Sequence, residues 1–376
     1  MTRLAVSAVY VAANLIASLI IVVLIVRSGD EPQAAQFFLF QAVFFPLTAL
    51  LSQFRMQLRF RMTHIGRGDA TLDIAAFVLG VALLRLIGAG MIPWFDTLLY
   101  ALAIPLTFRG TTTLAGLQFD RSGIAHAAVP ALTAVSRLGM VWLLLQFGGP
   151  VAFLGGSVLF AVVPAIAARW SGVAQARPPA FVPARGELVW LLAFFAVTGF
   201  TFQWDRYMLS HLDLQTMIIV SGVCATWVLS PISTLFAVIY RADARAIFDR
   251  ERRAFDTAGF VRRVFLFCGA GLAYGVFVLV AWQPLNAVAF PAVNAPVILP
   301  SILIGAVMCD RIGLLFLYMT NRVQGYRLAF VAKLVLVAVA AALCLFGPWE
   351  ISLMVLYIAY AGSAAAFAFL MGAVRK

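Results

Sequence analysis

Eight charged side chains stand inside long apolar stretches of this sequence: Arg85, Arg109, Arg137, Arg206, Arg311 and Lys333, with Asp205 and Asp310 to balance them. A charge at the centre of a bilayer costs roughly 2.5–3.5 kcal/mol even on a lenient insertion scale, so such residues face a bundle interior or a wet cavity and mark a functional site by default. One-to-one pairing leaves about four cations over. Uncompensated guanidinium groups hold anions through charge-assisted, often bidentate, hydrogen bonds. Arg85, Arg109 and Arg137 lie nearest mid-span and are the candidates for that work, the alternative being an internal ion-pair or hydrogen-bond network. Arg206 lies near the outer end of its stretch, where a long side chain snorkels to the interface.

Spacing adds to this. His126, Pro130, Thr133 and Arg137 recur at steps of four, three and four, which is one face of a helix. Thr198, Thr201 and Asp205 share another face, as do Ser7, Tyr10, Asn14 and Ser18, and Gln41, Thr48 and Ser52. Polar stripes on several helices need a shared polar space or partners on neighbouring helices. Asp205-Arg206 and Asp310-Arg311 are sequence neighbours, and adjacent residues on a helix do not face one another. Each carboxylate is expected to meet a basic residue on a different helix. Asp205, Asp310, Arg311 and Lys333 are the candidates for charge pairing or ion coupling.

Other chemistries lack their residues. There is no phosphate-binding Gly-x-x-x-x-Gly-Lys-Ser/Thr loop, and the only lysines are Lys333 and Lys376. The three histidines are far apart and give no metal spacing. Cys224, Cys268, Cys309 and Cys344 all fall in apolar runs and read as small hydrophobes. No cofactor, metal or catalytic residue is expected, and the chain does not read as an enzyme. Its 376 residues are 64% hydrophobic and 11% charged, with a mean hydropathy of +1.00. That composition excludes a soluble fold, and continuous apolar runs exclude a membrane β-barrel, whose strands alternate. A net charge of +12 would suggest nucleic acid in a soluble protein; here the position of the charges decides.

The elements that must position these groups are twelve apolar spans: Leu4–Val26, Ala34–Phe54, Ile74–Ile92, Leu98–Leu117, Ile124–Leu145, Val151–Ala168, Leu188–Leu209, Met217–Tyr240, Val264–Trp282, Val297–Met319, Leu328–Phe346 and Ile351–Val374. Asp73 falls just before the third and counts with the loop. With the N-terminus placed in the cytoplasm, alternate loops on that side carry nearly all the loop arginines, Arg241–Arg263 above all, and the opposite loops carry only Arg27. The positive-inside rule then sets both termini in the cytoplasm. The chain also repeats itself. Pro46-Leu47-Thr48-Ala49-Leu50-Leu51 in span two matches Pro231-Ile232-Ser233-Thr234-Leu235-Phe236 in span eight, with Phe54-Arg55 and Tyr240-Arg241 after them. Phe119-Asp120-Arg121 and Thr320-Asn321-Arg322 match after spans four and ten. The organisation expected is an all-α integral membrane protein of two six-helix repeats: residues 1–170, a cytoplasmic linker 171–187, and residues 188–376. Repeats of this kind recur in transporters, with the site between the halves, and a central cationic cavity is expected here.

Three stretches carry a family resemblance: Arg27-Ser28-Gly29 with Phe37, Phe38 and Phe40; Leu114-Ala115-Gly116-Leu117-Gln118-Phe119-Asp120-Arg121; and Gln203-Trp204-Asp205-Arg206-Tyr207-Met208-Leu209-Ser210. With the two-repeat layout, they make the chain resemble the polysaccharide transporters, the O-antigen flippases of the multidrug/oligosaccharidyl-lipid/polysaccharide superfamily. It departs from that pattern at Thr216-Met217-Ile218-Ile219, where a Gly-x-Tyr opening is usual. The resemblance implies a multi-pass protein of the bacterial inner membrane in which spans one, two, seven and eight lie nearest the central cavity, which adds Asn14, Gln41 and Arg206 to the other arginines as candidate substrate ligands. It would flip a polyprenyl-pyrophosphate-linked oligosaccharide by alternating access for surface polysaccharide synthesis. The implied partners are that lipid-linked glycan, membrane lipids, and possible glycosyltransferases and a polysaccharide polymerase, with no nucleic acid. The competing readings are an ion-coupled small-molecule or drug antiporter of the same superfamily and a non-transporting membrane scaffold.

Overall fold

The computed structural model of the chain describes residues 3–61, 68–88, 90–120, 125–170, 185–201, 203–211, 214–236, 238–239, 257–289, 297–320, 327, 330–335, 338–339 and 342. All described elements are helical: α1 (Arg3–Ser28), α2 (Glu31–Arg61), α3 (Gly68–Ile87), α4 (Trp94–Asp120), α5 (Ala125–Leu144), α6 (Gly149–Trp170), α7 (Arg185–Thr201), α8 (Trp204–His211), α9 (Gln215–Cys224), α10 (Thr257–Ala289) and α11 (Ile298–Thr320). Helix α9 runs through a π turn, Ala225–Leu229, into further helix at 230–236. Among the described residues, six spans are long and apolar enough to cross a membrane, and the chain is a multi-pass membrane protein. Most of the linker, the basic run at 240–256, Arg121, Asn321-Arg322, Cys344 and span twelve lie outside the described residues, as do the side chains of Ser7, Tyr10 and His126.

The chain divides into two compact units. The first is Met1–Leu188 with Phe202–Ile219, and the second is Val189–Thr201 with Val220–Lys376. Within the expected seventh span, Leu188–Leu209, α7 ends at Thr201 and α8 begins at Trp204, with Gln203 in a turn. Helix α8 packs on α2 and α3 within the first unit.

Within the first unit, α4 and α5 pack on α6, α1 on α5, and α2 and α3 on α4. Asp30 starts α2 by accepting the Gln33 N–H at 3.0 Å, with Pro32 in the first turn where no N–H is needed. Aromatic rings fill the centre. Phe40 stacks on Tyr100 with centroids 4.0 Å apart, and Phe153 stands edge-on to Phe40 and Phe44 at 4.9 and 5.1 Å. Gly110 lets α4 approach α6 closely, since a Cβ there would collide with the Phe160 carbonyl. In the second unit α10 packs on α11. Gly271 and Gly275 face Met308 and Ile304, so this Gly-x-x-x-Gly pair is a helix contact. The outer face of α10, with Phe265, Leu272, Phe277 and Val280, is exposed and apolar, as hydrocarbon requires.

The two matched prolines act alike. A helical proline removes the hydrogen bond to the carbonyl four residues before it, which frees Ala42 in α2 and Trp227 before Pro231. Tyr207 Oη donates to Ala42 O at 2.5 Å, and Tyr274 Oη donates to Trp227 O at 2.7 Å. Each unit therefore answers its proline with a tyrosine hydroxyl. Thr48 adds local support by donating to Phe44 O at 2.6 Å.

Candidate functional site

In the first unit the polar interior centres on Arg137 of α5, which is 6% exposed. The stripe that places it also buries Thr133, whose hydroxyl donates back to Val129 O at 2.7 Å. Arg137 Nη1 donates to Ser18 Oγ of α1 at 3.1 Å. Its guanidinium carbon lies 5.1 Å from the centre of the Phe160 ring and 5.7 Å from that of Phe153, both on α6. Its Nε–H is buried with no acceptor, and among the described residues no carboxylate lies within ion-pair distance. A second polar contact, Thr107 Oγ1 to Ser157 Oγ at 3.3 Å, joins α4 to α6. Asn14 sits on α1 one turn before Ser18, and Gln41 is buried on α2.

The second unit holds a buried charge cluster. Lys333 Nζ donates to Asp310 Oδ1 and, at 3.1 Å, to Thr198 Oγ1. Arg311 Nη2 donates to Ser233 Oγ at 3.0 Å. The cross-helix partner expected for Asp310 is therefore Lys333. The neighbour rule is less strict than the sequence suggested, because the long Arg311 side chain bends back to bring Nη1 within 3.7 Å of Asp310 Oδ2.

The other sequence candidates are placed elsewhere. Arg85 is not mid-span: α3 ends at Ile87, so Arg85 is in its last turn. It donates to Ile92 O at 2.8 Å, with its guanidinium 4.2 Å from the Trp94 ring centre. Arg109 is half exposed and forms an ion pair with Asp73, which α3 carries inside the helix instead of in a loop. Arg206 does not snorkel. It is 1% exposed, donating to Gln203 Oε1 and, at 3.5 Å, to Phe38 O. Asp205 is buried beside it at the start of α8.

Residues that the sequence offered only inside longer motifs, with no role of their own, complete the picture. Tyr207 and Ser210 join Arg206 in fastening α8 to backbone carbonyls of the first unit, Ser210 Oγ donating to Ile87 O at 2.8 Å. Thr216 Oγ1 donates to Glu31 Oε1 at 2.6 Å, anchoring the start of α9 to α2. The signal for Tyr207 was available: Pro46 leaves a carbonyl that needs a donor.

No protein-family model and no curated protein matches the chain. Solved structures do. A eukaryotic MATE transporter, AtDTX14, superposes with a TM-score of 0.68 at 13% identity, over 99% of this chain and 94% of that one. A MATE multidrug transporter, DinF-BH, gives 0.63 at 13% identity, over 99% and 95%. An inward-facing multidrug resistance MATE family transporter of the MOP superfamily gives 0.61 at 13% identity, over 98% and 94%. At that identity the likeness is one of architecture, and the chain has the all-helical fold of the MATE transporters.

Proposed function

We propose that the chain is a membrane transporter that flips a polyprenyl-pyrophosphate-linked oligosaccharide outward by alternating access, without enzymatic chemistry. The observation that carries the reading is Arg137: a buried guanidinium with an N–H lacking an acceptor and no carboxylate beside it among the described residues. A pyrophosphate supplies the missing acceptors through charge-assisted bonds. Moving its negative charge out of an electrically negative cytoplasm is downhill by about 2.3 kcal/mol per charge per 100 mV, so no ATP is needed. Asn14, Gln41 and Arg109 stay with it as candidate ligands. Arg85 and Arg206 hold backbone carbonyls and are secondary.

A second reading, an ion-coupled small-molecule antiporter, also has a specific observation behind it. The solved transporters that share the fold include MATE multidrug transporters, and on fold alone they support this reading better than the first. Against it, Asp310 is neutralised by Lys333, where ion coupling asks for an available carboxylate. Complementation separates the two. The proposal expects surface polysaccharide to return when the chain is expressed in a strain lacking its own flippase, and no gain in resistance to cationic drugs in a strain lacking efflux pumps. Resistance without polysaccharide would favour the antiporter.

A further inference from the structure

Asp310 is 3% exposed, and its Oδ1 is met by the Lys333 ammonium alone among the described ion pairs. The same ammonium donates to a second oxygen, Thr198 Oγ1 at 3.1 Å, and lies 5.4 Å from the centre of the Phe194 ring. A carboxylate oxygen, a hydroxyl oxygen and an aromatic face converge on one point from α7 and α11. Oxygen ligands hold hard metal cations, and ring faces attract any cation. Lys333 is also the kind of group that could stand there, a compact point charge on a four-carbon stem. It is the only lysine in the chain apart from Lys376, against 25 arginines, so this position departs from the chain's own habit. A planar guanidinium could not occupy one point between the three groups as an alkali ion does.

We propose that Lys333 Nζ is a tethered cation filling a monovalent-cation site built from Asp310, Thr198 and Phe194. In the native chain sodium does not bind there, because an ammonium fixed to its own helix is present at an effective concentration that free ions do not match. Arg311, 3.7 Å from Asp310 Oδ2 and bonded to Ser233, reinforces this by adding positive charge on the far side of the carboxylate. Shortening Lys333 uncovers the site and leaves a buried carboxylate that takes sodium in its place.

The test uses the purified full-length chain, with radioactive sodium binding and thermal midpoints in sodium chloride against choline chloride at equal concentration. The wild type is expected to bind no saturable sodium and to melt alike in both salts. Lys333→Ala and Lys333→Ser are expected to bind sodium stoichiometrically and to melt several degrees higher in sodium than in choline. Adding Asp310→Asn abolishes both effects. Saturable sodium binding by the wild type that Asp310→Asn removes would overturn the proposal, as would a folded Lys333→Ala with no preference for sodium. If neither lysine variant accumulates, the wild-type measurement alone decides. None of these readouts needs transport, so the result is separate from the function proposed above.

Discussion

Replacing Arg137 with Met separates a substrate ligand from a structural brace. The Ser18 hydrogen bond, at 3.1 Å and charge-assisted, is worth roughly 1.5–3 kcal/mol. The faces of Phe160 and Phe153 add about 0.5–1 kcal/mol each. Against these stands the cost of an unpaired guanidinium at membrane depth, about 2.5–3.5 kcal/mol. The terms largely offset one another, so Arg137 contributes at most about 2.5 kcal/mol to stability. Methionine fills the same slot between α1, α5 and α6 without a charge and packs well against the two rings. Arg137→Met is therefore expected to accumulate in the membrane and to melt within a few degrees of wild type. Transport is expected to fall about tenfold to a hundredfold, the equivalent of one lost charge-assisted bond to phosphate. Arg137→Lys keeps the charge, loses the planar fork and retains part of the activity. The assay pairs membrane immunoblots and thermal midpoints with surface polysaccharide in a strain lacking its own flippase. Normal polysaccharide from Arg137→Met would refute the reasoning. A variant that fails to accumulate would show instead that Arg137 braces the first bundle.

Tyr207→Phe leaves the Ala42 carbonyl without the donor that Pro46 already denies it, so it is expected to lose about 1–3 kcal/mol in a denaturant or thermal titration. Adding Pro46→Ala restores an in-helix donor and should recover part of that loss; no recovery would break the link between the two residues. Gly110→Val drives a side chain into the Phe160 carbonyl and costs about 1–3 kcal/mol or more, read as reduced accumulation in the membrane. The neutral pair Asp73→Asn with Arg109→Gln is expected to accumulate in the membrane better than either single variant, because each single change strands one charge of an ion pair. Equal accumulation of all three would show that the pairing is without consequence for folding.

The all-helical membrane fold was legible because apolar runs of this length admit little else. The matched prolines, Pro46 and Pro231, were visible as a repeat, and the structure gives them matched tyrosine partners. The errors have a common cause: hydropathy reports apolarity, and helices begin and end by hydrogen bonding. Helix α3 starts at Gly68, six residues before its apolar run, so Asp73 is helical and reaches Arg109. The loop after Ile87 is built from small and apolar residues, which extended span three on paper and moved Arg85 away from the helix end where it lies. No proline separates α7 from α8, and only the hydrogen bonds of Arg206, Tyr207 and Ser210 to α2 and α3 show that α8 belongs to the first unit. Arg137, Lys333 and Asp310 were named as costly charges inside apolar spans, Arg137 also from its polar stripe, but which groups meet was not legible. Their partners, Ser18 and Thr198, sit on helices 119 and 135 residues away in sequence, a distance no local pattern spans.

The most direct test of the account is a flipping assay in proteoliposomes that contain the purified chain and a polyprenyl-pyrophosphate-linked oligosaccharide, with a lectin reading the sugar exposed outside. The account predicts outward flipping with no ATP and no proton or sodium gradient, faster when the lumen is made electrically negative, and strongly reduced in Arg137→Met. No flipping under any potential, together with proton-driven export of a cationic dye from the same vesicles, would contradict it.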